Sequence, residues 1–114
     1  MPSDASLRDV GAVTIVDLSG VLRLGESSNV LRRVINDLIA KQRHRIVLNF
    51  RNVSEIDSAG VGELIAAYTA LKNNHGRLKL LNPPKKICEV LELTKLSKVV
   101  EVYTKEESAL DSFE

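Results

Sequence analysis

Ile46-Val47-Leu48-Asn49-Phe50, running on through Arg51-Asn52-Val53-Ser54-Glu55-Ile56-Asp57 into Ser58-Ala59-Gly60-Val61-Gly62, is the stretch that decides the fold. Its first five residues are a nearly continuous apolar run after the basic Arg43-His44-Arg45. That is the pattern of a strand covered on both faces, and such a strand belongs in the middle of a parallel sheet. From Ser58 the period changes: Val61, Leu64, Ile65, Tyr68 and Leu71 form one helical stripe, and Asn73-Asn74-His75-Gly76 supplies the stop. The residues between, Arg51 to Asp57, read as the loop joining strand to helix. In α/β sheets, ligands and partners meet the loops at the strand C-terminal ends, and this loop is one of them.

The flanking sequence extends the same alternation. Val13-Thr14-Ile15-Val16-Asp17-Leu18 is β-branched and closed by Gly20, so it reads as a strand, with residues 5 to 10 able to pair beside it. Between Ser27 and Lys41, the residues Val30, Leu31, Val34, Ile35, Leu38 and Ile39 recur at helical spacing, with Arg32, Arg33, Asn36 and Asp37 between them. After the second helix, Leu78-Lys79-Leu80-Leu81 reads as a strand, and Pro83-Pro84 presets the first turn of a helix carrying Ile87, Val90 and Leu91. Val99-Val100-Glu101-Val102 reads as another strand. Thr104-Lys105-Glu106-Glu107 has the form of a capping box, opening a last helix with Ala109, Leu110 and Phe113 on its apolar side. The expected fold class is therefore α/β: one domain over residues 1–114, with helices packed on a mainly parallel sheet.

Composition narrows the function. At 114 residues the chain has the size of one domain, and its 44% hydrophobic and 27% charged content suits a chain that folds alone. The longest unbroken apolar stretch, Leu64 to Tyr68, is far too short to span a bilayer. Met1-Pro2-Ser3-Asp4-Ala5 has no basic start followed by an apolar region, so no secretory signal is expected and the expected location is the cytoplasm. The single Cys88 cannot form an internal disulfide, and beside the apolar positions of the third helix it reads as a small core or boundary residue and not a reactive thiol. With 16 basic against 15 acidic residues and no Trp, neither a nucleic-acid partner nor an aromatic ligand cage is expected.

Chemistry concentrates at Asp57-Ser58-Ala59-Gly60-Val61-Gly62. Ser58 stands where an N-cap is expected, a role worth roughly 0.5–2 kcal/mol. On local chemistry the cap is the favoured reading, and a modified or reactive serine is the alternative. Gly60 and Gly62 each cost a helix about 1 kcal/mol relative to Ala, so close approach by another backbone is expected to offset them. Ala59, Gly60 and Gly62 together leave the helix start bare, within reach of a partner's active site.

These six residues, after the apolar strand Ile46 to Phe50 and the pair Val53 and Ile56, resemble the signature of the STAS domain family, and in particular the bacterial anti-sigma factor antagonists. Gly20-Val21-Leu22, the amphipathic first helix, the Leu78 to Leu81 strand and the Leu91 to Leu96 segment also fall where that family has them. The resemblance implies a partner switch. In it Ser58 aligns on the serine phosphorylated by an anti-sigma factor serine kinase, Asp57 aligns on the acidic residue beside that serine, and a serine phosphatase restores the unmodified form. The unphosphorylated antagonist binds the anti-sigma factor and frees the sigma factor; the phosphorylated form does not. Partner-binding residues would be Asp57, Ser58, Ala59, Gly60, Val61 and Gly62, with no cofactor and no metal. One departure is Arg23, where the family often carries an acidic residue. STAS-like domains also resemble non-switching scaffold subunits of lipid transporters and stress-sensing complexes, a second reading that keeps the same surface.

Enzymatic readings fit less well. Ser58 lacks a Gly-x-Ser-x-Gly elbow, and the two possible bases, His44 and His75, sit in hydrophilic turns expected to be solvated. Gly60-Val61-Gly62 lacks the third glycine of a dinucleotide fingerprint. A receiver domain phosphorylated on aspartate needs clustered acids after its first strand for Mg²⁺, and this chain has Ser19-Gly20-Val21 there.

Overall fold

Strand β1 (Asp4–Val10) turns through Gly11, which has φ of 62°, and pairs antiparallel with β2 (Val13–Leu22). The computed structural model describes residues 4–22 and 26–113; Arg23 lies outside them. Helix α1 (Glu26–Ala40) leads to β3 (Arg45–Ile56), α2 (Ser58–Asn73) to β4 (Arg77–Leu81), and α3 (Lys85–Leu93) with a 3-10 turn (Leu96–Lys98) to β5 (Val102–Tyr103). Helix α4 (Glu106–Asp111) closes the chain. The sheet order is β1-β2-β3-β4-β5, parallel from β2 onward, with β3 at its centre. This is the expected α/β architecture.

Alternation along the strands sends side chains to two unequal cores. On one face Val16, Leu18, Ile46, Leu48, Phe50, Leu78 and Leu80 meet the apolar stripes of α1, α2 and α3, including Leu31, Ile35, Leu64, Leu71 and Ile87. On the other, Val13, Ile15, Val47 and Leu81 meet Ala109 and Phe113. Each such large side chain contributes roughly 1.5–3 kcal/mol relative to leaving it in water.

Four local expectations need correction. Residues Arg51 to Ile56 are not a loop: β3 continues through them, paired with β2 from Ser19 to Leu22. Likewise Gly20 does not close β2. With φ of 87° it sits at a bulge, and the register shifts again between Gly20 and Val21. Val99 and Val100 are not strand, because after the 3-10 turn at Leu96–Lys98 both donate their N–H groups back to the Leu96 carbonyl, at 3.0 and 2.8 Å. The expected capping box does not form: Lys105 is the N-cap of α4 and makes no side-chain cap bond, while Glu106 pairs with Arg8 at 2.7 Å. Pro84 stands at the N-cap of α3, one position before its first turn.

Candidate functional site

Past Asn49, β3 has no partner in β4, whose pairing ends at Leu81. β2 and β3 therefore run on as a two-stranded ribbon beyond the C-terminal edge of the sheet, and Ser54 Oγ ties it by donating to the Gly20 carbonyl at 3.1 Å. Arg51, Asn52, Ser54 and Glu55 are exposed on this ribbon, while Ile56 turns inward at 5% exposure. The burial of Ile56 ends the strand and fixes where α2 begins.

Asp57, not Ser58, is the N-cap. Its backbone is extended (φ −107°, ψ −175°), its Oδ1 accepts the Gly60 N–H at 3.0 Å, and its carbonyl accepts the Val61 N–H at 3.0 Å. Asp and Ser are both strong caps, and the strand's end at Ile56 decides between them. Ser58 becomes the first residue inside the helix. It stands where unpaired backbone N–H groups and the helix dipole favour an anion.

The rest of the motif divides by depth. Gly60 is buried, and Val61 is 8% exposed and packs in the core with Leu64 and Ile35, so it supports the surface from beneath. Gly62 faces outward, and a Cβ built there would meet nothing within 4 Å. Among the described residues nothing outside its own turn of helix packs on Gly62, so the close approach expected of it is not made within them. Beside it, Arg32 of α1 clasps Glu63 with two bonds, Nε to Oε2 at 3.1 Å and a second at 2.5 Å. Sequence reading missed this ion pair, because residues in different helices carry no spacing signal.

The two histidines lie at the other end of the sheet. His44 precedes β3 and His75 follows α2, whose 16 residues span about 24 Å from Ser58. His75 is exposed, but His44 is half-buried, with its Nδ1 enclosed and lacking a partner. Neither can reach Ser58 as a base. Among the described residues no group of three His, Cys, Asp or Glu side chains could hold a metal ion, and no helix is long and apolar enough to cross a membrane. Cys88 is half-buried beside a groove that also exposes Val102.

Two charged clusters were not anticipated. Arg8 donates to Asp17 Oδ1 at 3.0 Å and to Glu106 Oε1 at 2.7 Å, and Asn49 donates to Asp17 Oδ1 at 2.8 Å. The hydrogen bond from Arg8, with help from Asn49, holds the Asp17 carboxyl below its ordinary range. Lys79 is 2% exposed on the α4 face, where its Nζ lies 2.8 Å from Glu101 Oε2, 2.7 Å from Ser112 Oγ and 4.4 Å from the Phe113 ring centre. Lys79 chiefly, and the Tyr103 hydroxyl, hold the Glu101 carboxyl below its usual value.

The STAS domain family profile matches residues 4–109. The chain is 30% identical over 104 residues to the anti-sigma F factor antagonist of Paenibacillus polymyxa, covering 90% of this chain and 87% of that protein. Among solved structures, the unphosphorylated anti-sigma factor antagonist SpoIIAA is similar at a TM-score of 0.78 and 26% identity, covering 96% of this chain and 97% of that one. The phosphorylated form of the Bacillus cell fate determinant SpoIIAA is similar at a TM-score of 0.80 and 26% identity, covering 97% and 100%.

Proposed function

This chain belongs to the STAS domain family, and from that premise we propose that it is an anti-sigma factor antagonist whose binding to an anti-sigma factor serine kinase is switched off by phosphorylation of Ser58. The observation that carries the reading is the position of Ser58 at the first turn of α2, beside the Asp57 cap and at the end of a ribbon projecting beyond the sheet. The contact surface we assign is Asp57, Ser58, Ala59 and Gly62, with the buried Gly60 and Val61 anchoring it to the core.

In the kinase's active site the Ser58 hydroxyl would attack the terminal phosphorus of the bound nucleoside triphosphate, losing its proton to a base on the kinase and expelling the diphosphate. The antagonist supplies only the hydroxyl, carried at the first turn of α2. The product carries about −1.5 to −2 charges at a helix N-terminus, which the dipole and free N–H groups tolerate. SpoIIAA has been solved with and without its phosphate, and this chain resembles both forms. The fold is thus expected to survive phosphorylation.

The interface is expected not to. The new phosphate sits next to the Asp57 carboxylate, which already occupies the Gly60 N–H. A partner packed on this surface has to desolvate both charges, and an unpaired interfacial charge costs roughly 2–5 kcal/mol. That weakens binding about 30- to several-thousand-fold. A serine phosphatase resets the cycle by hydrolysing the phosphoester. Calorimetric titration of the unmodified and phosphorylated chains with the kinase tests the reading.

A further inference from the structure

Strand β5 ends the sheet, and its backbone turns outward at one residue. The Glu101 carbonyl accepts the Leu80 N–H at 3.0 Å and the Tyr103 carbonyl accepts the Asn82 N–H at 2.8 Å, so both carbonyls face β4. Along a strand in a parallel ladder, the N–H and C=O of one residue point to one side and those of the next residue to the other. Val102 therefore directs both its N–H and its C=O away from β4, and among the described residues neither meets a backbone partner. An unpaired edge of this kind is a template for an added strand.

Beside that edge runs a groove of about 430 Å³ between α3 and β5. Cys88, Leu91 and Glu92 line it from α3, Ser97 and Val100 from the segment that follows, and Val102 from the strand. Val102 is in register with Leu80, which shares its core with Ile87 and Leu91, so the Val102 side chain stands on the α3 face. It is nevertheless 41% exposed. Of the five exposed large hydrophobic residues among the described residues, three, Leu93, Val99 and Val102, fall in this one segment of chain. An open strand edge and an apolar groove side by side are the two halves of recognition by strand addition. Main-chain bonds hold the added segment, and the groove takes its alternate side chains.

Charge selects the occupant. The charged residues lining the groove are both acidic, Glu92 and Glu101. Glu101 is committed to Lys79 at 2.8 Å and to the Tyr103 hydroxyl at 2.9 Å. Glu92 is exposed and has no ion-pair partner among the described residues. We propose that the groove between α3 and the β5 edge binds an extended segment of a partner protein in which basic and aliphatic residues alternate. The segment pairs with the Val102 N–H and C=O, places an aliphatic side chain in the groove and sets a lysine or arginine against Glu92. This surface is separate from the one assigned around Ser58, because β5 stands two strands away from β3, which leads into α2.

The test is amide NMR of the isotopically labelled chain, titrated with a blocked hexapeptide of alternating lysine and valine. The expected result is a saturable shift of the Val102 amide, with affinity lowered at least about threefold by Glu92→Lys, as for one lost exposed ion pair. Glu107→Lys, the same charge reversal on exposed α4, is expected to leave the affinity unchanged. Two further probes need no variant. The same peptide N-methylated along its backbone keeps its charges and side chains but cannot pair as a strand, and a peptide with glutamate in place of lysine carries the wrong charge. Both are expected to leave the Val102 amide unmoved. A Val102 amide that stays still with the lysine peptide, or moves equally with the N-methylated or the glutamate peptide, overturns the proposal, as does undiminished binding by Glu92→Lys.

Discussion

The Asp57 carboxylate accepts the Gly60 N–H at 3.0 Å, and that bond sets Ser58 one residue inside α2. The cap and the hydroxyl proposed to be phosphorylated therefore belong to different side chains, and they can be altered separately. Asp57→Ala is expected to lose about 1 kcal/mol of stability, and Asp57→Asn only a fraction of that, since the amide oxygen still caps. Chemical denaturation of the two variants checks this. Equal losses would mean that the carboxylate acts through something other than the cap.

At Gly62 the effects of a substitution on folding and on the proposed binding are expected to differ in sign. A methyl group there meets open space, and an exposed helix-interior Gly→Ala change stabilises by about 0.5–1 kcal/mol. Gly62→Ala is expected to raise the unfolding midpoint and, if the proposed surface is the interface, to weaken kinase binding by adding a methyl group to it. A variant that is more stable and binds unimpaired would remove Gly62 from the interface.

Lys79 holds α4 to the sheet. Lys79→Ala removes a buried side chain with its bonds to Ser112 and is expected to cost about 2–5 kcal/mol. Lys79→Met keeps most of the volume and is expected to be far milder, since replacing a buried ion by an apolar isostere is often nearly neutral. Equilibrium unfolding of both separates packing from charge; equally severe losses would show that the charge itself is needed.

Acid weakens the fold through Asp17 and Glu101. Both carboxyls are held below their ordinary values of 3.8 and 4.5, Asp17 chiefly by the Arg8 hydrogen bond and Glu101 chiefly by that from Lys79. A carboxyl with a depressed folded-state pKa adds stability above its unfolded value and loses it as pH falls through the folded one. The contribution is thus present at neutral pH and declines below about pH 5, modestly because these groups are partly solvated. Urea unfolding across this range is expected to show a shallower acid decline for Glu101→Gln than for the unaltered chain. Parallel declines would exclude the Lys79–Glu101 pair as a source.

Much of this arrangement is legible in the sequence because burial and period agree. Ile46 to Phe50 and the α2 stripe had only one consistent placement. The misreadings arose where tertiary context overrides local signals. Arg51 to Glu55 is polar because the ribbon stands clear of the sheet, so it lacks the apolar mark of a strand. Val99 and Val100 have strand-forming side chains, but the 3-10 turn before them claims the backbone. Lys79 alternates correctly with Leu78 and Leu80, yet the face it points to is covered by α4, which a strand pattern alone does not reveal. Asp57 and Ser58 are both good caps, and only the burial of Ile56 chooses between them.

The central claim is that a phosphate on Ser58 breaks an interface and leaves the fold intact. The most direct test is calorimetric titration of the cognate anti-sigma factor kinase with the unmodified and the Ser58-phosphorylated chain, with circular dichroism of both. The expected result is superimposable spectra and binding weakened at least about 30-fold by the phosphate. Equal affinity of the two forms, or loss of binding accompanied by loss of the native spectrum, would contradict it.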